Sequence, residues 1–286
     1  KTGESSILYD NIPYLSSETL DKREKERYEE LNIKGEGTLY EHAEKAIKLA
    51  LERGFGTHGL LKIGGGDWND GMNAVGIAGY GESVWLTEFC AIICFKFSKI
   101  AVIVKGESEE HFFLETARKL YDAVQASFIE GWYLRGYYDD GAPLGKKGNM
   151  ECEIDSLSQS FAVFMEMVIN GEVGKNSKAA IEAAFSRLYD KKAGIMKLLS
   201  PAFDEGDERP GYIKGYLPGI RENGGQYTHA AVWAAMALLL SGKTDEGILT
   251  SIPTDKKHLF VLTVKAEQEL NSEGKLTVDT FSNEWF

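Results

Sequence analysis

Ser83-Val84-Trp85-Leu86-Thr87-Glu88-Phe89-Cys90-Ala91-Ile92-Ile93-Cys94-Phe95-Lys96-Phe97-Ser98-Lys99-Ile100-Ala101-Val102-Ile103-Val104 decides the class of fold. The run is almost continuously apolar and far too long for one strand. Glu88, Lys96 and Lys99 interrupt it, so it reads as a buried helix opened by Ser83 and not as a membrane span. Upstream, Thr38-Leu39-Tyr40-Glu41 is a capping-box pattern. The helix behind it spaces Leu39, Ala43, Ala46, Ile47 and Ala50 along one face and closes at Gly54. Downstream, a helix is expected from Glu107 to Ile129, with Phe113, Ala117, Leu120, Val124 and Phe128 as its stripe. Another starts at Asp155 or Ser156 and stops before Gly171. Two more cover Ser177 to Leu188 and Gln226 to Ser241, the last ended by Gly242.

Between the helices lie polar stretches rich in Gly, Trp, Tyr and Asp. Trp132 to Leu144 reads as extended with a turn at Asp139-Asp140-Gly141, and residues 193–225 read as loop. No apolar strand run separates the helices, which disfavours a parallel α/β sheet. The expectation is an all-α toroid of helical hairpins, of which six helices are about half. Residues 1–37 start irregular, with Tyr9, Ile12, Pro13, Tyr14 and Leu15 as an apolar segment made to pack on something, and turn strongly charged from Asp21 to Glu30. The expected division is residues 1–242, part of the toroid, and a divergent tail, 243–286. In the tail, His258 to Ala266 and Lys275 to Phe281 read as a β-hairpin.

The chain has 286 residues, 43% of them apolar, and a net charge of −12. That charge argues against a phosphate-backbone binder and against an anionic membrane surface. Cys90, Cys94 and Cys152 give no disulfide framework; the first two sit in the apolar helix and read as buried thiols, with no metal site expected. No signal-peptide pattern opens the sequence, and a cytoplasmic setting is expected.

Chemistry concentrates in two loops. Gly64-Gly65-Gly66-Asp67-Trp68-Asn69-Asp70-Gly71-Met72-Asn73 brings two carboxylates and an indole into a turn-forming composition. Trp offers a flat apolar face to a sugar ring, and Asp67 and Asp70 are candidates for proton transfer; the plain alternative is a turn whose Asp residues cap backbone N–H groups. The second loop is Tyr216-Leu217-Pro218-Gly219-Ile220-Arg221-Glu222-Asn223-Gly224-Gly225-Gln226-Tyr227-Thr228-His229. It leads into a helix start, where open N–H groups and the dipole attract anions, with Arg221, Thr228 and His229 as further donors. Its plain alternative is a capped helix start with Arg221 paired to Glu222 or another surface acid. Inverting hydrolysis of a glycoside needs two carboxyl groups. With phosphate as nucleophile, one acid and a set of phosphate donors suffice.

These motifs, together with Gly81-Glu82-Ser83-Val84-Trp85-Leu86, Thr38-Leu39-Tyr40-Glu41-His42 and Tyr137-Tyr138-Asp139-Asp140-Gly141, resemble the glycoside hydrolase family 94 phosphorylases over residues 9–242. Arg221 to His229 and Gly211-Tyr212-Ile213-Lys214-Gly215-Tyr216 look closest to the β-1,2-glucan members. The resemblance implies an (α/α)6 catalytic barrel, present here as its C-terminal half, and inverting phosphorolysis of β-linked gluco-oligosaccharides to α-glucose 1-phosphate. It implies Asp70 as general acid with a raised pKa, and Trp68, Tyr216, Arg221 and Glu222 at the sugar. His229, with Thr228 beside it, would meet phosphate. Asp67 is expected to order the loop more than to bind sugar; Glu82 and Gln159 are expected to be structural. Inorganic phosphate is the co-substrate, with no other cofactor.

Two departures stand out. The family's N-terminal β-sandwich and first barrel helices have no counterpart, nor do the Thr/Gly loop and Gln that complete its phosphate site. Association with the missing half, or a homodimer, is therefore expected, and activity of the chain alone is not. The rivals are a non-catalytic carbohydrate-binding remnant and an inverting hydrolase using Glu222 or Asp155 as second carboxylate.

Overall fold

The structure is a computed structural model that describes residues 4–18 and 27–251. Among these, seven α-helices carry the mass of the fold: α1 Leu39–Glu52, α2 Val84–Lys105, α3 Glu107–Gln125, α4 Ser156–Asn170, α5 Lys175–Leu188, α6 Thr228–Leu240 and α7 Thr244–Ser251. The small sheets are all antiparallel. The protein is thus mostly helical, and no helix among the described residues is long and apolar enough to cross a membrane.

The helices pair as hairpins. Gly106, at φ +86°, turns α2 into α3. Gly171, at φ +77°, closes α4 with its N–H on Met167 O, and Gly242 ends α6 at φ +80°. At these angles a Cβ is strained, which is why glycine ends the helices. α2, α4 and α6 lie side by side in one layer, while α3, α5 and α7 back them. Chemistry of sequence follows this division. The front helices are apolar on nearly every face, with Val84, Ala91, Cys94, Ala101, Leu157, Phe161, Val163, Met165, Ala234 and Leu238 all buried. The backing helices carry one stripe, as in α3 with Phe113, Ala117, Leu120 and Val124. Each large side chain so buried is worth about 1.5–3 kcal/mol. Cys90 and Cys94 are buried free thiols, Sγ to Sγ 4.0 Å.

Capping matches the sequence. Thr38 and Glu41 form a full capping box, Ser83 accepts from Leu86 N at 3.0 Å, and Asp155 accepts from Leu157 N at 2.7 Å. Two segments differ from expectation. α3 stops at Gln125, because Glu130 (φ +54°) and Gly131 (φ +110°) turn the chain into a hairpin in which Phe128 pairs with Tyr133. The segment expected to be irregular contains a strand, Asn11–Ser16, paired with Asn32–Thr38. Tyr14 of this hairpin stacks on His42 of α1 at 4.0 Å and lies over Gly37. α7 packs on α6. The β-hairpin expected between His258 and Phe281 lies outside the described residues.

Each connection leading into the front layer is held by a buried side chain. Glu82 accepts from His58 N at 3.0 Å and Leu60 N at 3.2 Å. Gln159 binds Tyr133 through both N–H and C=O, each at 2.9 Å. Both therefore serve backbone, as their sequence positions suggested.

Candidate active site

The loops before α2, α4 and α6 all gather at one end of the front layer. The first, residues 64–73, turns through Gly64 (φ +55°) and Gly66 (φ +123°). Its Asp67 carboxylate is fully enclosed. It accepts from Asn69 N at 3.0 Å and Ser83 Oγ at 2.6 Å, and from Arg135 Nη1 and Nη2 at 2.6 Å each. Burial works to raise the Asp67 pKa, but the Arg135 guanidinium outweighs it and holds the carboxyl below its usual range. Every oxygen of Asp67 is committed within the protein, the geometry of a loop-ordering residue.

Arg135 also reaches Asp155, Nε to Oδ2 3.4 Å, and neither side chain has any exposure. Burial pushes the Asp155 carboxyl up to about 6, against the pull of Arg135. Asp155 caps α4, and its strand pairs with Leu199–Ser200. Leu198 N then donates to Gly225 O at 2.8 Å. Arg135 thus connects the first loop to the second through one buried guanidinium. Close by, burial drives the Glu88 carboxyl well above its ordinary value, and neither of its oxygens has a hydrogen-bond partner among the described residues.

The second loop is built on Asn223, which is fully buried. Its Nδ2 donates to Phe203 O and Tyr216 O and its Oδ1 accepts from Phe203 N, all at 2.7 Å. Arg221 takes φ +51°, an uncommon angle for any residue but glycine. Its Nε lies 3.3 Å from Glu222 Oε2 and its guanidinium 4.9 Å from the Tyr216 ring. The Arg221–Glu222 pairing is the one named as the plain alternative, and it coexists with the aromatic contact.

The two loops meet through aromatic rings. Trp68 stands edge-on to Tyr227 at 5.0 Å, to Trp233 at 5.5 Å and to His229 at 6.2 Å. Asp70 is exposed and opens the short turn Asp70–Met72, which packs against the turn Tyr212–Gly215. Tyr212 in turn lies edge-on to Tyr216 at 6.2 Å. Thr228 and His229 are exposed in the first turn of α6, and Tyr227 ahead of them supplies no side-chain cap. The structure therefore gathers Trp68, Asp70, Tyr216, Arg221, Glu222, Thr228 and His229 around the junction of the two loops, and sets Asp67 beneath it. Asp155 is enclosed against Arg135, so of the two second carboxylates considered, Glu222 alone lies among these residues. Arg135, Asn223 and Tyr212 were not singled out from sequence. A charged residue inside the apolar stretch Trp132-Tyr133-Leu134-Arg135-Gly136-Tyr137 was the available signal for the first.

The protein is mostly helical, with aromatic and acidic side chains at the junction of two loops. Residues 2–248 match the family described as "Glycosyl hydrolase 94 superfamily, catalytic domain", and the chain belongs to that family. It is 40% identical over 248 residues to "Cyclic beta-(1,2)-glucan synthase NdvB" of Rhizobium meliloti (strain 1021), covering 86% of this chain and 8% of that protein. It is 34% identical to "3-O-beta-D-glucopyranosyl-beta-D-glucuronide phosphorylase" of Paenibacillus borealis, covering 76% of this chain and 28% of that one. With "Solabiose phosphorylase" of the same organism it shares 29% identity over 87% of this chain and 30% of the relative. The chain spans less than a third of the length of these relatives.

Proposed function

We propose that this chain carries the acid-bearing part of an inverting phosphorylase site. The reaction cleaves β-linked gluco-oligosaccharides, β-1,2-linked ones first, with inorganic phosphate to give α-glucose 1-phosphate. The observation that carries this reading is the packing of Trp68 on Tyr227, His229 and Trp233, which sets the loop of Asp70 against the start of α6. Asp70 gives its proton to the glycosidic oxygen as that bond breaks. A phosphate oxygen attacks the anomeric carbon from the other face, so the configuration inverts. Phosphate is held by His229, Thr228 and the uncapped N–H groups of α6. Trp68 and Tyr216 offer ring faces to the sugar, and Arg221 and Glu222 offer hydrogen bonds. The 40% identity to a β-1,2-glucan synthase supports the linkage.

The alternation of a front and a backing layer supports half of an (α/α)6 toroid. In this reading the remaining helices, or a second copy, complete the sugar site. The test is release of glucose 1-phosphate from β-1,2-gluco-oligosaccharides by the protein that carries this chain, with Asp70→Asn as control. Phosphate-dependent release, lost in the variant, is expected. Release of free glucose without phosphate favours the hydrolase; sugar binding unchanged in Asp70→Asn, with no turnover, favours the binding remnant.

A further inference from the structure

The seam between α2 and α4 holds polar atoms that the fold itself does not match. Glu88 is fully enclosed, and neither of its carboxyl oxygens has a hydrogen-bond partner among the described residues. The same is true of two further buried groups, Trp85 Nε1 and Ser158 Oγ. One guanidinium sets the starts of the two helices side by side. Arg135 Nη1 donates at 3.3 Å to Ser83 Oγ, the cap of α2, and Arg135 Nε lies 3.4 Å from Oδ2 of Asp155, the cap of α4. Trp85 and Glu88 stand three positions apart in the first turns of α2, so they share one face of that helix. The Trp85 ring meets Phe161 of α4 edge-on at 5.3 Å, which turns this face toward α4. Ser158 stands three positions before Phe161, on the side of α4 that meets Trp85. The three unmatched groups therefore converge on one seam, within two helical turns of Arg135.

We propose that the α2–α4 seam is a buried solvent-binding site, in which about one or two ordered waters join Glu88, Trp85 and Ser158. A buried donor or acceptor is costly to leave unmatched, and enclosed water is the usual partner where protein supplies none. The three groups complement one another through water. The indole N–H only donates, while the serine hydroxyl donates and accepts. Burial holds the Glu88 carboxyl well above its ordinary pKa, so at neutral pH it is an acid with one O–H to give and a carbonyl to accept. Water accepts from the indole N–H and the carboxyl O–H, and donates to the carboxyl C=O and to Ser158 Oγ. A metal or alkali cation does not suit this set, because the indole presents a donor. The site serves the end of the front layer where the loops gather, and it lets two otherwise apolar helices keep polar side chains there.

The test has two arms. In a high-resolution crystal structure of the protein carrying this chain, ordered solvent is expected within about 3.2 Å of a Glu88 oxygen and of Trp85 Nε1 or Ser158 Oγ. In solution, oxygen-17 relaxation dispersion of the solvent counts long-lived internal waters. Glu88→Leu loses about one or two of them, whereas Glu88→Gln, which keeps a donor and an acceptor, loses none. Where the leucine variant fails to fold, Ser158→Ala takes its place, with a loss of about one water expected. A dry seam with apolar atoms against both Glu88 oxygens overturns the inference, as does an unchanged count in the folded leucine or alanine variant. An alkali cation at Glu88, revealed by the anomalous scattering of rubidium, overturns it as well.

Discussion

Arg135 and Asp67 form a two-pronged ion pair, 2.6 Å on each prong, with neither side chain exposed to solvent. Removing one partner of such a pair strands a buried charge at a cost of about 3–5 kcal/mol. Arg135→Met is therefore expected to lose stability on that scale, measured by urea denaturation. Arg135→Lys recovers only part of it, since an ammonium cannot replace the planar fork. The double variant Arg135→Met, Asp67→Asn should be more stable than the sum of the single losses allows.

Asp155 makes a distinct contribution to pH dependence. Its folded pKa is about 6, above its ordinary value of 3.8. Between these limits the folded protein holds a proton that the unfolded chain has released, so this group makes stability fall as pH rises from about 4 to 6. The contribution is at most about 2–3 kcal/mol. Asp155→Asn keeps a capping side chain and should remove that downward component, seen in melting temperatures across the window. Asp67 acts with the opposite sign: its lowered pKa stabilises the fold above the unfolded value and loses effect as pH falls through the folded one.

Glu88 is enclosed, with burial raising its pKa and no hydrogen bond to either oxygen among the described residues. The neutral acid is the form that fits there. Glu88→Gln should thus change stability at neutral pH by less than about 1 kcal/mol, while Glu88→Ala opens a cavity and costs about 2–4 kcal/mol. Equal losses in both variants, by chemical denaturation, would argue for a buried charge instead.

Asn223 makes three hydrogen bonds to backbone groups on two sides of its loop. Asn223→Ala leaves those groups unmatched and should cost about 2–4 kcal/mol. It should also expose residues 203–225 to limited proteolysis before the helices unfold.

The helices were legible because their ends are written locally. Thr38 with Glu41, Ser83, Gly171 and Gly242 each act within a turn of their own position. The end of α3 was not, because Phe128 keeps the apolar spacing while Glu130 and Gly131 set the turn through backbone angles. Nor was the strand at Asn11–Ser16, whose side chains are mostly exposed and whose Ile12, Pro13, Tyr14 and Leu15 run together without polar residues between them. At the candidate site, Trp68, Asp70 and His229 were picked out by residue type and motif. Arg135 could not, since its meaning depends on Asp67, 68 positions away along the chain. Tyr212 looked like one tyrosine among thirteen until the fold set it edge-on to Tyr216.

The placement of every chemically active loop ahead of a front-layer helix separates two kinds of inheritance. Packing is encoded within the helices, and the polar residues of the candidate site in the segments that join them. A lineage could therefore rewrite a few connecting residues while the hydrophobic interior stays untouched. The conserved cost of such a change falls on the Arg135 junction, which any new pair of loops must still satisfy.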